Sequence, residues 1–368
     1  MSGRSEAPPP LERYGWDSGF AAAFEPHAVQ GLVPGRVAVE HKNGYGLYTA
    51  AGEVTASLAG GLRHRAASSA ELPAVGDWVA LRLPPPGQGS AAVVAVLPRR
   101  SRFSRQQAGR AAGEQVLAAN VDAVFVVSSL TGELNTRRLE RYLALAWESG
   151  ASPAIVLSKA DLAGSLDESL ARVGEVARGA PVHVISSVEG RGLDELRPYF
   201  AGDRTVALLG SSGVGKSTLI NVLVGEALQE VAEVRETDGR GRHTTSRRQL
   251  VTVPGGGLII DTPGLRELQL WEGGEGLREA FEDVEELAAA CRFSTCAHES
   301  EPGCTVRAAV EAGTLPLERL RSWHKLQSEL RSFEQRRDER GWAEQKRRAK
   351  VATKGLRERV RDKSEGPR

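Results

Sequence analysis

Cysteine is nearly absent from this chain: there are three among 368 residues, all between positions 291 and 304. That scarcity excludes a disulfide-stapled secreted scaffold, and the clustering points to a metal site instead. No stretch approaches the roughly 18–20 uninterrupted apolar residues that a membrane span requires. The N-terminus, with Pro8, Pro9 and Pro10, lacks the basic-then-apolar pattern of a signal peptide. The expectation is a cytoplasmic protein with no membrane partner. Net charge is also close to absent, at +1, but it is unevenly spread. From Arg331 to Arg368 fourteen Lys and Arg face seven Asp and Glu, so the tail carries +7 and the rest −6. A basic tail on a near-neutral body suits anchoring to a polyanion; a solvated helix is the plainer alternative.

What is present is length enough for two or three domains. Residues 1 to about 30 are rich in Pro and Ala and read as poorly ordered. Short β-rich runs follow at Gly35–Glu40, Gly46–Ala50, Val54–Leu58, Asp77–Leu83 and Ala92–Leu97, separated by turn signals such as Asn43-Gly44. Five short strands in about 70 residues suggest a small barrel, with the oligonucleotide-binding OB-fold one candidate and a purely structural barrel another. A connector bearing Arg99, Arg100, Arg102 and Arg105 comes next.

Buried-strand patterns then alternate with helical ones. Strands are expected at Val121–Ser128, Pro153–Ser158, Val182–Ser186, Thr205–Leu209 and Gly257–Asp261, and helices at Thr136–Trp147 and Lys216–Val224. This is an α/β pattern, a parallel sheet covered on both faces, whose ligands sit beyond the carboxyl ends of the strands. Past Leu265 the pattern turns helical. Leu317, Leu320, Trp323, Leu326, Leu330 and Phe333 then mark one face of a long helix after Pro316.

Thr205–Leu209 runs into Gly210-Ser211-Ser212-Gly213-Val214-Gly215-Lys216-Ser217-Thr218 and a helix. This is the P-loop pattern in its required strand-to-helix setting. The glycines let backbone N–H groups curl around phosphate oxygens, and the helix N-terminus favours negative charge. Lys216 should reach the β- and γ-phosphates and Ser217 should ligand Mg²⁺. Asp261-Thr262-Pro263-Gly264 ends the last strand. Its carboxylate can hold the magnesium, and the Gly264 N–H can face the γ-phosphate. Between them, Asp238–Thr245 is Gly-rich and polar, suited to a segment in which Thr244 or Thr245 closes onto Mg²⁺.

P-loops serve ATP and GTP alike, so the base needs separate evidence. Ser158-Lys159-Ala160-Asp161, at a strand end, resembles the Asn-Lys-x-Asp guanine motif with serine in place of asparagine. Asp161 can accept from the two adjacent donors on guanine, whereas adenine would leave the carboxylate unpaired. Ser158 keeps a hydroxyl but loses the longer amide. Ile185-Ser186-Ser187 resembles a second guanine-contacting loop. Both base motifs precede the phosphate motifs, the reverse of the usual order. A parallel sheet tolerates this, because the site depends on where strand ends meet.

With these motifs in this order, the chain resembles the RsgA/YjeQ family of circularly permuted GTPases of small ribosomal subunit assembly. The matching residues include Glu114-Gln115-Val116, Ala119-Asn120-Val121-Asp122, Gly210–Asn221, Gly241–Thr245, Asp261–Gly264 and the Cys/His cluster. The resemblance covers residues 30–335 or so. It implies an OB-fold barrel, a permuted GTPase domain, a C-terminal helical zinc domain, binding of ribosomal RNA, and GTP hydrolysis to GDP stimulated by the small subunit. The expected organisation is a flexible segment at 1–30, a barrel at 31–105, a GTPase domain at 106–275, a zinc domain at 276–335 and a basic tail at 336–368. A monomer is the simplest oligomeric expectation.

Position 265 is leucine, where Ras-like enzymes carry a water-orienting glutamine. Intrinsic hydrolysis should therefore be slow, and another group must align the water. His243 is the nearest candidate, alongside Thr244 and Thr245; a plain loop histidine is the alternative. Cys291, Cys296, His298 and Cys304 offer three thiolates and one imidazole within 14 residues, a ligand set for one tetrahedral structural Zn²⁺. Two other readings stay open at this stage: a GTP-gated RNA-binding scaffold with negligible turnover, and an ATPase with an RNA-binding barrel.

Overall fold

A computed structural model describes residues 10–41, 43–85, 89–106, 114–131, 134–164, 166–225, 248–261 and 275–331. Glycine-punctuated alternation near the N-terminus yields strands β1 (Val33–His41), β2 (Gly44–Thr49), β3 (Gly52–Leu58), β4 (Trp78–Arg82) and β5 (Ala91–Val96). They pair in the order β1-β2-β3-β5-β4, and β4 returns to β1, so the sheet closes into a five-stranded barrel. The β3–β5 pair is parallel and the others are antiparallel. Val37, Leu47, Val79, Leu81 and Val93 fill the interior. Closure without exposed edges is what an OB-like barrel requires.

The stretch read as poorly ordered is different for residues 10–30. Leu11–Tyr14 forms a 3₁₀ turn and Ser18–Ala28 a helix. Asp17 caps that helix, accepting from the N–H of Gly19 at 2.9 Å and Phe20 at 3.1 Å. Trp16, Phe20 and Phe24, spaced four apart, pack their rings together, and Trp16 and Phe20 meet Trp78 of β4. Pro and Ala content suggested disorder, but aromatic burial decides the outcome. All four connector arginines have partners within the chain: Arg102 pairs with Glu114 and Arg105 donates to Gln115. Arg99 pairs bidentately with the buried Asp77, and Arg100 pairs with Asp17.

A two-stranded hairpin, β6 (Arg102–Gln106) and β7 (Glu114–Ala119), leads into the second sheet. That sheet contains β8 (Ala123–Ser129), β9 (Ser152–Ser158), β10 (Val182–Val184), β11 (Thr205–Leu209), β12 (Gln249–Thr252) and β13 (Leu258–Asp261). The order is β10-β9-β8-β11-β13-β12, parallel except for β12, an antiparallel strand with no counterpart in the sequence reading. One face packs Val124, Val126, Ile155 and Leu157 under the helix Thr136–Glu148, and the other packs Phe125, Val206, Leu208 and Ile259 under the helix Lys216–Val224. Helices on both faces explain why these strands are apolar throughout rather than alternating.

Both flanks attach to this sheet. On one side β12 meets β1 at Gln249 and Val39, and the Tyr48 hydroxyl donates to the Leu250 carbonyl. On the other, the helices Glu275–Ala280, Glu282–Ala289, Thr305–Glu311 and 317–331 form a small helical unit. It docks on the helix Thr136–Glu148 through Arg319, which donates to Glu140 at 2.7 Å and to Asp283 at 2.6 and 2.8 Å.

Candidate nucleotide site

Parallel strands all point their carboxyl ends the same way, so one rim of the sheet collects the loops after β8, β9, β10, β11 and β13. The loop after β11 turns sharply at Gly210, with φ of 155°. A Cβ there would sit 2.4 Å from the Val127 carbonyl of β8, so only glycine lets the loop leave the sheet this way. Gly215, with φ of 95°, opens the helix Lys216–Val224. Ser217 and Thr218 in its first turn are exposed, as ligand contact demands. Lys216 folds back along the loop, its Nζ donating to the carbonyls of Gly210 at 2.7 Å and Ser211 at 2.5 Å. Anion-binding loop, helix N-terminus and lysine thus form one cradle.

The base motif meets this cradle directly. Ser158, at the end of β9 and only 2% exposed, donates its hydroxyl to the Val214 carbonyl at 2.5 Å, with the Ser128 carbonyl 3.2 Å away. The hydroxyl therefore ties strand end to P-loop. Lys159 adopts left-handed backbone, φ 60°, which lifts the chain over the rim, and the Ala160 N–H returns to the Ile185 carbonyl at 3.0 Å. Asp161 follows, its Oδ1 accepting from the Ser186 hydroxyl at 2.6 Å. That hydrogen bond is the main cause holding the Asp161 carboxyl below its ordinary range. Ser186 itself is fully buried and accepts from the Glu189 N–H. The result is a carboxylate held in place by Ser186 in the turn after β9.

Asp261 ends β13, whose Ile260 pairs with Ala207 of β11, so its carboxylate lies on the same rim as the P-loop. Of the residues singled out from sequence, Ser158, Lys159, Ala160, Asp161, Ser186, 210–218 and Asp261 converge here. His243, Thr244, Thr245 and Gly264 lie outside the described residues, as does the basic tail beyond Arg331. Sequence reasoning missed Arg138, whose Nη1 donates to the Ser211 hydroxyl at 2.6 Å. Its only signal was a basic residue in the first turn of the helix after β8.

In the C-terminal unit the donor atoms of Cys291, Cys296, His298 and Cys304 all lie within 4.8 Å of one another. The Cys291 and Cys304 sulfurs are 3.9 Å apart, and His298 Nδ1 lies 3.5 and 3.4 Å from them. A tetrahedral site with metal–sulfur bonds of about 2.3 Å has ligand edges of about 3.7 Å, so the set fits a structural zinc site. Glu301 braces the knuckle by accepting from the N–H groups of Ala297, Glu299 and Ser300, bonds that hold its carboxyl down at about 2. His298 packs against Trp323, and Thr305 lies beside the Cys291 sulfur.

A P-loop and a guanine-type motif in this inverted order, joined at one rim, define a circularly permuted P-loop GTPase. The family model for RsgA GTPase matches residues 96–271. The chain is 50% identical over 327 residues to the small ribosomal subunit biogenesis GTPase RsgA of Opitutus terrae, covering 87% of this chain and 89% of that one. It is 45% identical over 337 residues to the protein so named in Streptomyces coelicolor, covering 91% and 90%. The crystal structure of YjeQ from Thermotoga maritima superposes with a TM-score of 0.62 at 27% identity, covering 81% of this chain and 99% of that one. This chain belongs to the RsgA GTPase family, and it is a GTP-hydrolysing enzyme. Among the described residues no helix is long and apolar enough to cross a membrane.

Proposed function

We propose that this GTPase assists late maturation of the small ribosomal subunit in the cytoplasm, binding the subunit's RNA and leaving it when GTP is hydrolysed to GDP. The observation that carries the reading is the Ser158–Val214 hydrogen bond. It draws the base and phosphate motifs into a single guanosine triphosphate site between a closed barrel and a Cys/His unit. The names of the relatives supply the subunit. The barrel and the basic tail are the surface offered to RNA phosphates, a salt-sensitive contact.

In this reading Asp161 accepts from the guanine edge, and Lys216 leaves the loop carbonyls for the β- and γ-phosphates. Ser217 and Asp261 hold Mg²⁺, which neutralises charge developing on the phosphates. Thr244 or Thr245 completes the site when GTP is bound, and His243 aligns the water that Leu265 cannot. Cys291, Cys296, His298 and Cys304 hold one Zn²⁺ as a folding staple. Co-sedimentation with purified small subunits in GTP, GDP and no nucleotide, with phosphate release measured in parallel, tests the reading. Association favoured by GTP and turnover raised by subunits are expected; nucleotide-independent association with unchanged turnover would overturn it. Asp161→Asn should move preference from guanine towards xanthine nucleotides, and an unchanged preference would remove the base assignment.

A further inference from the structure

We propose that Arg138 is a second cation for the terminal phosphate of GTP, supplied from the chain's own helix Thr136–Glu148. The proposal rests on the GTP-hydrolase reading and adds a residue to it. Arg138 stands in the first turn of that helix, its N–H accepted by the Asn135 cap at 3.0 Å. From there the guanidinium reaches across to the P-loop, Nη1 to Ser211 Oγ at 2.6 Å. It borders a cavity of about 240 Å³ lined also by Ser128, Ser129, Ser211, Ser212 and Gly213. Of the loop residues that border this cavity, Ser211, Ser212 and Gly213 carry small side chains or none.

The neighbouring cations are committed elsewhere. Arg137 pairs with Glu318 and Arg141 with Glu329, both on the C-terminal helix. Arg138 has no carboxylate partner among the described residues. A neutral hydroxyl is a weak partner for a guanidinium, and a phosphate oxygen is a much stronger one. The need is chemical. As the water oxygen bonds to the γ-phosphorus and yields a proton that ends on the released phosphate, the bond to the β-phosphate oxygen breaks and its electron pair leaves with GDP. Negative charge spreads over the transferring group, and a cation placed there lowers the barrier. Arg138 donates hydrogen bonds to those oxygens and transfers no proton. Ser211 is its resting partner.

The test compares Arg138→Ala, Arg138→Lys, Arg137→Ala and Ser211→Ala in the full chain, reading kcat and the affinities for GDP and a non-hydrolysable GTP analogue. Arg138→Ala is expected to lower kcat about tenfold or more and to weaken the analogue while GDP affinity stays within about twofold. Arg138→Lys should recover part of the loss, and Arg137→Ala should match the wild type. Ser211→Ala keeps the guanidinium and should keep the analogue-over-GDP preference. A kcat for Arg138→Ala within about twofold of wild type, equal losses for GDP and analogue, or the same lost preference in Ser211→Ala would each overturn the proposal. Absence of phosphate release by the wild type is a different result, and it would sink the hydrolase reading itself.

Discussion

Each flank of the nucleotide sheet is docked by a buried arginine, and the two arginines are satisfied in opposite ways. Arg36, in β1 and 2% exposed, lies over the Trp78 ring and has neutral oxygens as its hydrogen-bond partners. It donates to the carbonyls of Tyr14, Gly76 and Asn120 and to the Thr205 hydroxyl at the start of β11. Burial pulls its pKa down to about 10, with Asp122 and Asp77 at longer range acting the other way. Arg319 instead meets the carboxylates of Glu140 and Asp283 face on, together with the Ala280 carbonyl. The barrel is thus keyed to the P-loop strand by backbone geometry, which only a planar fork can read. The helical unit meets the helix Thr136–Glu148 through a shared apolar cluster and through opposite charges, of which the Arg319–Glu140 pair crosses the interface.

Removing metal should separate the flanks most strongly. A chelator is expected to melt the C-terminal helices at a cost of about 10 kcal/mol or more, while barrel and nucleotide binding persist. Circular dichroism and Trp323 fluorescence, read beside GTP affinity, check this; unchanged helicity would discard the staple. Arg319→Met should follow, destabilising the helical unit by about 3–5 kcal/mol because Glu140 is left buried without its cation, while the part-exposed Asp283 keeps Arg178. Replacing Glu140 and Asp283 by their amides in the same chain should return part of that loss in urea titrations.

Arg36→Met should cost less, about 1–3 kcal/mol, since it strands neutral acceptors rather than carboxylates. A larger loss than for Arg319→Met would invert the comparison. Smallest is Asp17→Ala, expected to cost about 1 kcal/mol through the lost helix cap, the exposed pair with Arg100 adding little. The Arg100 hydrogen bond holds the Asp17 carboxyl down at about 2, below its usual 3.8. A carboxyl depressed on folding stabilises fully above its unfolded pKa and loses that contribution as pH falls towards 2. The difference between wild type and Asp17→Asn should therefore shrink between about pH 4 and pH 2.

Legibility differed by region for physical reasons. β11 and the helix Lys216–Val224 match their expected bounds to the residue, because a buried apolar strand, a glycine loop and an amphipathic helix leave little choice. The N-terminal helix escaped notice because composition spoke louder than the spacing of Trp16, Phe20 and Phe24. Arg99 and Arg100 stood out in sequence only as a basic connector, with no sign of their carboxylate partners Asp77 and Asp17. Those partners lie 22 and 83 positions away, beyond any local pattern. Ser158 stands where the motif has asparagine, and its hydroxyl reaches the P-loop carbonyl of Val214 at 2.5 Å, a contact no local pattern shows.

Sequence alone determined the chemistry: the phosphate loop, the base tetrad, their inverted order and the three cysteines with one histidine all depend on residue type at short spacing. Tertiary structure alone decided who meets whom. The approach of Ser158 to Val214, the reach of Arg138 to Ser211 and the two arginine docks join residues from 22 to 179 positions apart. Such contacts arise because strand ends gather at one rim and helices pack across faces, and no local periodicity encodes that.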